Sequence, residues 1–306
     1  MTESLRRQLQ QLVSESQNPK TVAIDTMATA DIVTTLHNED HAVQDAISDV
    51  LPEIVKAVDL VATALAADGR LIYLGAGTSG RLGVLDAVEC IPTFGLPEGR
   101  IIGVMAGGEA AMFRAQEGIE DQPEAGVADL KALVLTANDI VVGIAASGRT
   151  PYVAGGLEYA QSMSAKTIAL TSNPNSRITQ LADLAIVTIV GPETPAGSSR
   201  MKSGTAQKQV LNMLSTATMI RLGKCYQNLM IDLKPTNEKL QARSLNMIMQ
   251  ITGVMEDLAQ KTLAEADGQV KHAVYMLLTD SSFAEAEKAL KAHDGFLRNA
   301  LFAVDN

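Results

Sequence analysis

The chain has 306 residues, 46% of them hydrophobic, and a formal net charge of −10. That length supports a real core in one or two domains, and the acidic balance argues against nucleic acid, whose binding needs a basic face. No apolar run approaches the roughly 18 residues of a membrane helix. Residues 1–11 are polar and lack a signal-peptide core. Cys90 and Cys225, far apart in the chain, fit a reducing cytoplasm and no disulfide framework. Cys90, with no histidine near it in sequence, reads as a small buried apolar residue. The four histidines (His37, His41, His272, His293) stand without nearby cysteines that would complete a ligand set, so no zinc is expected.

Residues 14–19 read as a turn, and Ile24-Asp25 begins a helical stretch. From residue 43 to 67 apolar side chains recur at helical spacing, among them Val43, Ile47, Ile54, Val58, Val61 and Leu65, and predict one helix closed by Asp68-Gly69. Short apolar strands then alternate with helices. The strands are predicted at residues 71–74, 101–105, 140–145, 167–170 and 185–190, a pattern that predicts a parallel sheet with helices on both faces. In such sheets a ligand sits beyond the carboxyl ends of the strands.

Hydroxyl- and glycine-bearing loops fall at that edge. The first, Gly75-Ala76-Gly77-Thr78-Ser79-Gly80-Arg81, opens a helix predicted over 82–88, and free N–H groups at such a helix start suit a phosphate. Gly75, Gly77 and Gly80 also match a dinucleotide pattern, but the acidic residue that pattern requires about 20 residues on is absent, Glu109 coming too late. A phosphomonoester is the better fit. The loop Ser147-Gly148-Arg149-Thr150-Pro151 repeats the earlier Ser-Gly-Arg. Thr171-Ser172-Asn173-Pro174 and a run from Gly197 to Thr205 follow the last two strands. Any one of these could be an ordinary helix cap; four at one rim point to a sugar-phosphate pocket. Beyond about residue 238 only helical patterns remain (240–251, 255–265, 269–278, 283–293), giving domains 1–237 and 238–306. Two acidic segments stand near the rim. Glu89 is read at the end of the helix the first loop opens, and Glu117-Gly118-Ile119-Glu120-Asp121 as closing the helix after the second strand. A carboxylate at a helix C-terminus is disfavoured by the dipole, which suits a general acid or base; the plainer reading is a solvated charge.

The glycine-hydroxyl runs beginning at Gly75, Ala145 and Gly197, extended to Gly83, Tyr152 and Lys208, resemble the N-acetylmuramic acid 6-phosphate etherase family of the sugar isomerase (SIS) superfamily. The likeness covers nearly the whole chain, including Glu15, Asn18, Asp25 and Asn237-Glu238-Lys239-Leu240. It implies an α/β SIS-type αβα sandwich with a five-stranded parallel sheet, an N-terminal helical extension and a small ubiquitin-associated-like helical domain. It also implies a cytoplasmic homodimeric lyase, without metal or nucleotide, that releases D-lactate from the amino sugar during cell-wall sugar recycling. The family's Ala-Ser-Glu-Cys motif maps its catalytic acid onto Glu89, although Val88 and Ile91 replace the common serine and proline, and Glu-Gly-x-Glu-Asp maps its base onto Glu120. Substrate contacts are expected from Gly77, Thr78, Ser79, Ser147, Gly148, Thr150, Ser198, Ser199, Arg200 and Lys202, with Arg200 or Lys202 meeting the lactyl carboxylate. Two alternatives are a non-catalytic SIS-type sugar-phosphate regulator and a sugar-phosphate isomerase of the same superfamily.

Overall fold

The computed structural model describes residues 12–116, 118–233 and 238–303; the expectations for residues 1–11, Glu117 and Asn237 lie outside them. Five parallel strands, β1 (Leu71–Gly75), β2 (Ile101–Met105), β3 (Ile140–Ile144), β4 (Lys166–Thr171) and β5 (Leu184–Val187), form one sheet in the order β2-β1-β3-β4-β5. The predicted strands all exist, with ends moved by a few residues. β1 and β3 are buried along their whole length, which is why their sequences are apolar without alternation. Because the chain steps from β1 out to β2 and returns past β1 to β3, the loops after β1 and β3 leave the sheet in opposite directions.

The helices are α1 (Thr29–Glu39), α2 (His41–Ser48), α3 (Leu51–Ala66), α4 (Gly77–Phe94), α5 (Ala110–Phe113), α6 (Pro123–Ala132), α7 (Pro151–Ser162), α8 (Arg177–Leu181), α9 (Lys202–Arg221), α10 (Glu238–Thr252), α11 (Glu256–Glu265), α12 (Val270–Thr279), α13 (Phe283–Ala292) and α14 (Leu297–Phe302). The single helix expected over 43–67 is two, α2 and α3, because Pro52 starts a new helix. Short 3-10 turns at Val13–Glu15 and Ile24–Thr26 precede α1. No helix among the described residues is long and apolar enough to cross a membrane.

The chain forms two compact units, residues 1–88 with 99–215 and residues 89–98 with 216–306. In the first, Ile72, Leu74, Val141 and Ala169 share one sheet face and pack with Leu130 of α6 and Tyr152, Val153 and Leu157 of α7. On the other face α4 lies so close that an added Cβ at Gly83 would stand 2.9 Å from Cβ of Tyr73. The Tyr73 hydroxyl donates to Asp86 of α4, whose carboxylate also accepts from Asn212 and Ser215. Burial raises the pKa of Asp86 despite those hydrogen bonds. The second unit packs α10 to α14 around Ile248, Leu263, Val274 and Leu290. α14 was not expected from the sequence. Within this unit buried Lys271 donates to the carbonyls of Gly223 and Gly295 and pairs with Asp232 at 2.9 Å, tying three turns together.

Candidate active site

The glycines of the first loop are set by packing. A Cβ on Gly80 would lie 2.6 Å from Cβ of Met105 and 2.7 Å from the Gly75 carbonyl oxygen, so only glycine lets α4 start this close to the sheet. Gly148 has φ +67° and no room for a Cβ, which would come 2.1 Å from Oγ of Ser176. The two loops are thereby held where β1 and β3 diverge, with the N-termini of α4 and α7 at the same rim. Between them lies a cavity of about 260 Å³ lined by Thr78, Ser79, Ser147, Arg149, Thr150, Glu120 and Ser199, among others.

Glu120 reaches this cavity by a route the sequence did not suggest. The helix after β2 stops at Phe113, because Arg114 is already extended, and Glu120 stands in the turn ahead of α6. α6 is pressed onto α7: a Cβ on Gly126 would lie 2.1 Å from the Tyr152 carbonyl oxygen, and the Tyr152 N–H donates to the Glu120 carbonyl at 3.0 Å. The backbone that carries Glu120 is therefore fixed by helix packing, and no helix ends at it.

Glu89 is placed differently. α4 continues through Pro92 to Phe94, so Glu89 is an interior, exposed helix residue and not a terminal one. From residue 77 to residue 89 the axis advances about 18 Å at 1.5 Å per residue. Glu89 is not among the described residues lining the cavity.

The hydroxyls also divide. The Ser79 hydroxyl donates to buried Gln207 at 2.9 Å, and Ser147 Oγ accepts from the Arg149 N–H. Ser199 lines the cavity while Ser198 and Arg200 do not, and Arg200 is exposed. Lys202 is committed within the protein. Its side chain is 4% exposed, and its ammonium is bonded at 2.7 Å to Glu39, which also accepts from Asn18 at 2.6 Å. Burial works against the Glu39 charge, but the Lys202 and Asn18 hydrogen bonds outweigh it and lower the Glu39 pKa. The start of α9 is occupied as well, since buried Glu193 accepts the N–H groups of Lys202 and Ser203. This loop carries its own carboxylate where the sequence suggested a ligand's anion.

Sequence reasoning did not assign site roles to Ser14, Glu15, Arg149 and Asp121, all of which line the cavity. The 3-10 turn at Val13–Glu15 is brought there by Asn173, which accepts from the Val13 N–H at 2.8 Å and donates to Ser14 Oγ and to the Ala146 carbonyl. A larger cavity of about 710 Å³ lies in the second unit, but its two lysines, Lys224 and Lys271, are both committed to Asp232.

A chain from Brucella anthropi named N-acetylmuramic acid 6-phosphate etherase is 54% identical over 304 residues, covering 99% of each sequence. The chain belongs to the N-acetylmuramic acid 6-phosphate etherase family. A Pectobacterium atrosepticum relative of the same name is 54% identical over 290 residues, 95% of this chain and 96% of its own. The models of the glucokinase regulatory protein N-terminal SIS domain and of the SIS domain match residues 53–161 and 120–217. The fold is also that of a solved phosphoheptose isomerase from Francisella tularensis, at 18% identity and TM-score 0.51 over 63% of this chain and 100% of that one. In this etherase family member the cavity at the β1/β3 divergence gathers hydroxyls, the N-termini of α4 and α7 and Glu120.

Proposed function

We propose that this cavity is where the chain, as an etherase, cleaves the D-lactyl ether of N-acetylmuramic acid 6-phosphate to N-acetylglucosamine 6-phosphate and D-lactate. The observation that carries the assignment is that Glu120 shares one cavity with Thr78, Ser147 and Thr150 at two helix N-termini. The N–H groups there and the Arg149 guanidinium hold the phosphate. With the sugar ring open, the aldehyde acidifies the C2 proton. The Glu120 carboxylate removes it, the C2–C3 double bond forms and the C3–O bond breaks, the lactyl oxygen leaving with a proton. Water then adds back, hydroxyl to C3 and proton to C2.

The proton for the leaving oxygen comes from Glu89, delivered by a second copy of the chain. Leu85 and Val88, 49% and 57% exposed, flank Glu89 on one side of α4, an apolar stripe suited to a homodimer. Residues 1–237 carry catalysis in the cytoplasm, serving cell-wall sugar recycling, and residues 238–306 form a helical appendage.

Lactate release by Glu120→Gln should fall about 10²- to 10⁴-fold while affinity for N-acetylglucosamine 6-phosphate persists; near-normal turnover would remove Glu120 from the chemistry. A non-catalytic regulator would bind the sugar phosphate and release no lactate at all. Mixing inactive Glu89→Ala and Glu120→Gln chains should restore about a quarter of the wild-type rate if each site draws one acid from each copy, and nothing if both come from the same chain.

A further inference from the structure

A second cavity, of about 300 Å³, is also lined by Glu120. It shares Ala76, Gly77, Glu120 and Asp121 with the first, but its remaining wall is of another kind: Arg81, Gln116, and the apolar side chains of Met105, Ala111 and Ala115. Arg81 is the one cation among the described residues lining it, as Arg149 is in the first cavity. The Arg81 guanidinium is aimed by backbone, donating to the carbonyls of Ala111 at 2.6 Å and Met112 at 3.1 Å. That uses two of its five N–H donors, and no carboxylate among the described residues pairs with it within ion-pair distance.

We propose that this second cavity is the lactyl subsite, with Arg81 receiving the lactyl carboxylate and the Ala111, Ala115 and Met105 side chains receiving its methyl group. The inference rests on the active-site reading above. The substrate has two anionic ends on either side of the reacting carbons, and the structure offers two cavities, each with one guanidinium, joined at the wall that carries Glu120. A carboxylate facing a planar guanidinium accepts two parallel hydrogen bonds, which fixes the orientation of the arm as well as its charge. Lys202 cannot serve here because its ammonium is buried on Glu39.

The test separates the two ends of the substrate. In Arg81→Gln, KM for N-acetylmuramic acid 6-phosphate should rise about 10- to 100-fold, while Ki for N-acetylglucosamine 6-phosphate, which lacks the arm, stays within about threefold. A substrate analogue with the lactyl carboxylate converted to the amide should be poor for the wild type and no worse for Arg81→Gln. Ala115→Leu, at an exposed position, should raise KM for the substrate and leave the product Ki alone. Equal losses of substrate and product affinity in Arg81→Gln would overturn the proposal, assigning the guanidinium to the phosphate or to the frame, and so would an unchanged KM. A fully active Glu120→Gln would instead overturn the location of the active site itself, whatever Arg81 does.

Discussion

Replacing Lys202 by methionine separates a structural strut from a substrate contact. The Lys202–Glu39 pair is 2.7 Å long, with the partners 4% and 11% exposed. At an effective dielectric of about 20 the gross attraction is about 6 kcal/mol, and desolvating the two groups offsets several kcal/mol of it. Removing only the cation strands the Glu39 carboxylate, which keeps Asn18 and, 4.0 Å away, Lys20. The expected loss is therefore about 3 kcal/mol, the lower end for a broken buried pair, or a fall in Tm of about 6–12 °C at 2–4 °C per kcal/mol. The double variant Lys202→Met/Glu39→Gln should recover part of it. Because the fold lowers the Glu39 pKa, its contribution is present above the unfolded-state value and is lost as pH falls through the folded one, so Lys202→Met should also flatten the acid side of the stability profile. Thermal melts over a pH series, with KM measured below the melt, decide it. A Tm within 1 °C of wild type combined with a tenfold rise in KM would refute the strut and return Lys202 to the substrate.

Gly148→Ala must relieve both a positive φ and an approach of 2.1 Å to Ser176, so about 2–5 kcal/mol of stability should be lost together with phosphate affinity; urea unfolding and product binding measure the two. Asp139, 2% exposed, holds Arg70 through two oxygens at 2.9 and 2.6 Å. Burial opposes its charge, but Arg70 and Thr136 hold its pKa below the ordinary value, so its contribution is complete above the unfolded-state value and lost as pH falls through the lowered one. Asp139→Asn should then lose about 3–5 kcal/mol near neutrality and less in acid, by chemical denaturation at several pH values.

The strands were legible because their sequences are short, apolar and bounded by turns, and the hydroxyl loops because each follows a strand at its carboxyl end. What escaped depended on partners distant in sequence. A lysine in a hydroxyl-rich loop looks like a ligand group until Glu39, 163 positions away, is seen beside it. Glu89 seemed near the rim because it follows the glycine loop closely in sequence, yet a helix carries sequence neighbours apart at a steady rise. Glu120 was rightly expected at the rim, but for the wrong cause: backbone bonding to Tyr152 holds it there, and no helix ends at it. The turn at residues 14–19 was legible, but not its place at the cavity, which rests on the amide of Asn173.

That turn also sets an order of events during synthesis. The cavity wall runs from Ser14 to Ser199, and the clasp on the segment carrying Ser14 is closed by Asn173 and by the Gly197 N–H reaching the Ser14 carbonyl. A nascent polypeptide stalled before these later loops emerge from the ribosome can pair β1 with β2 and β3 but leaves the Val13–Glu15 turn undocked, so this wall of the cavity closes only after the Gly197 loop has been made.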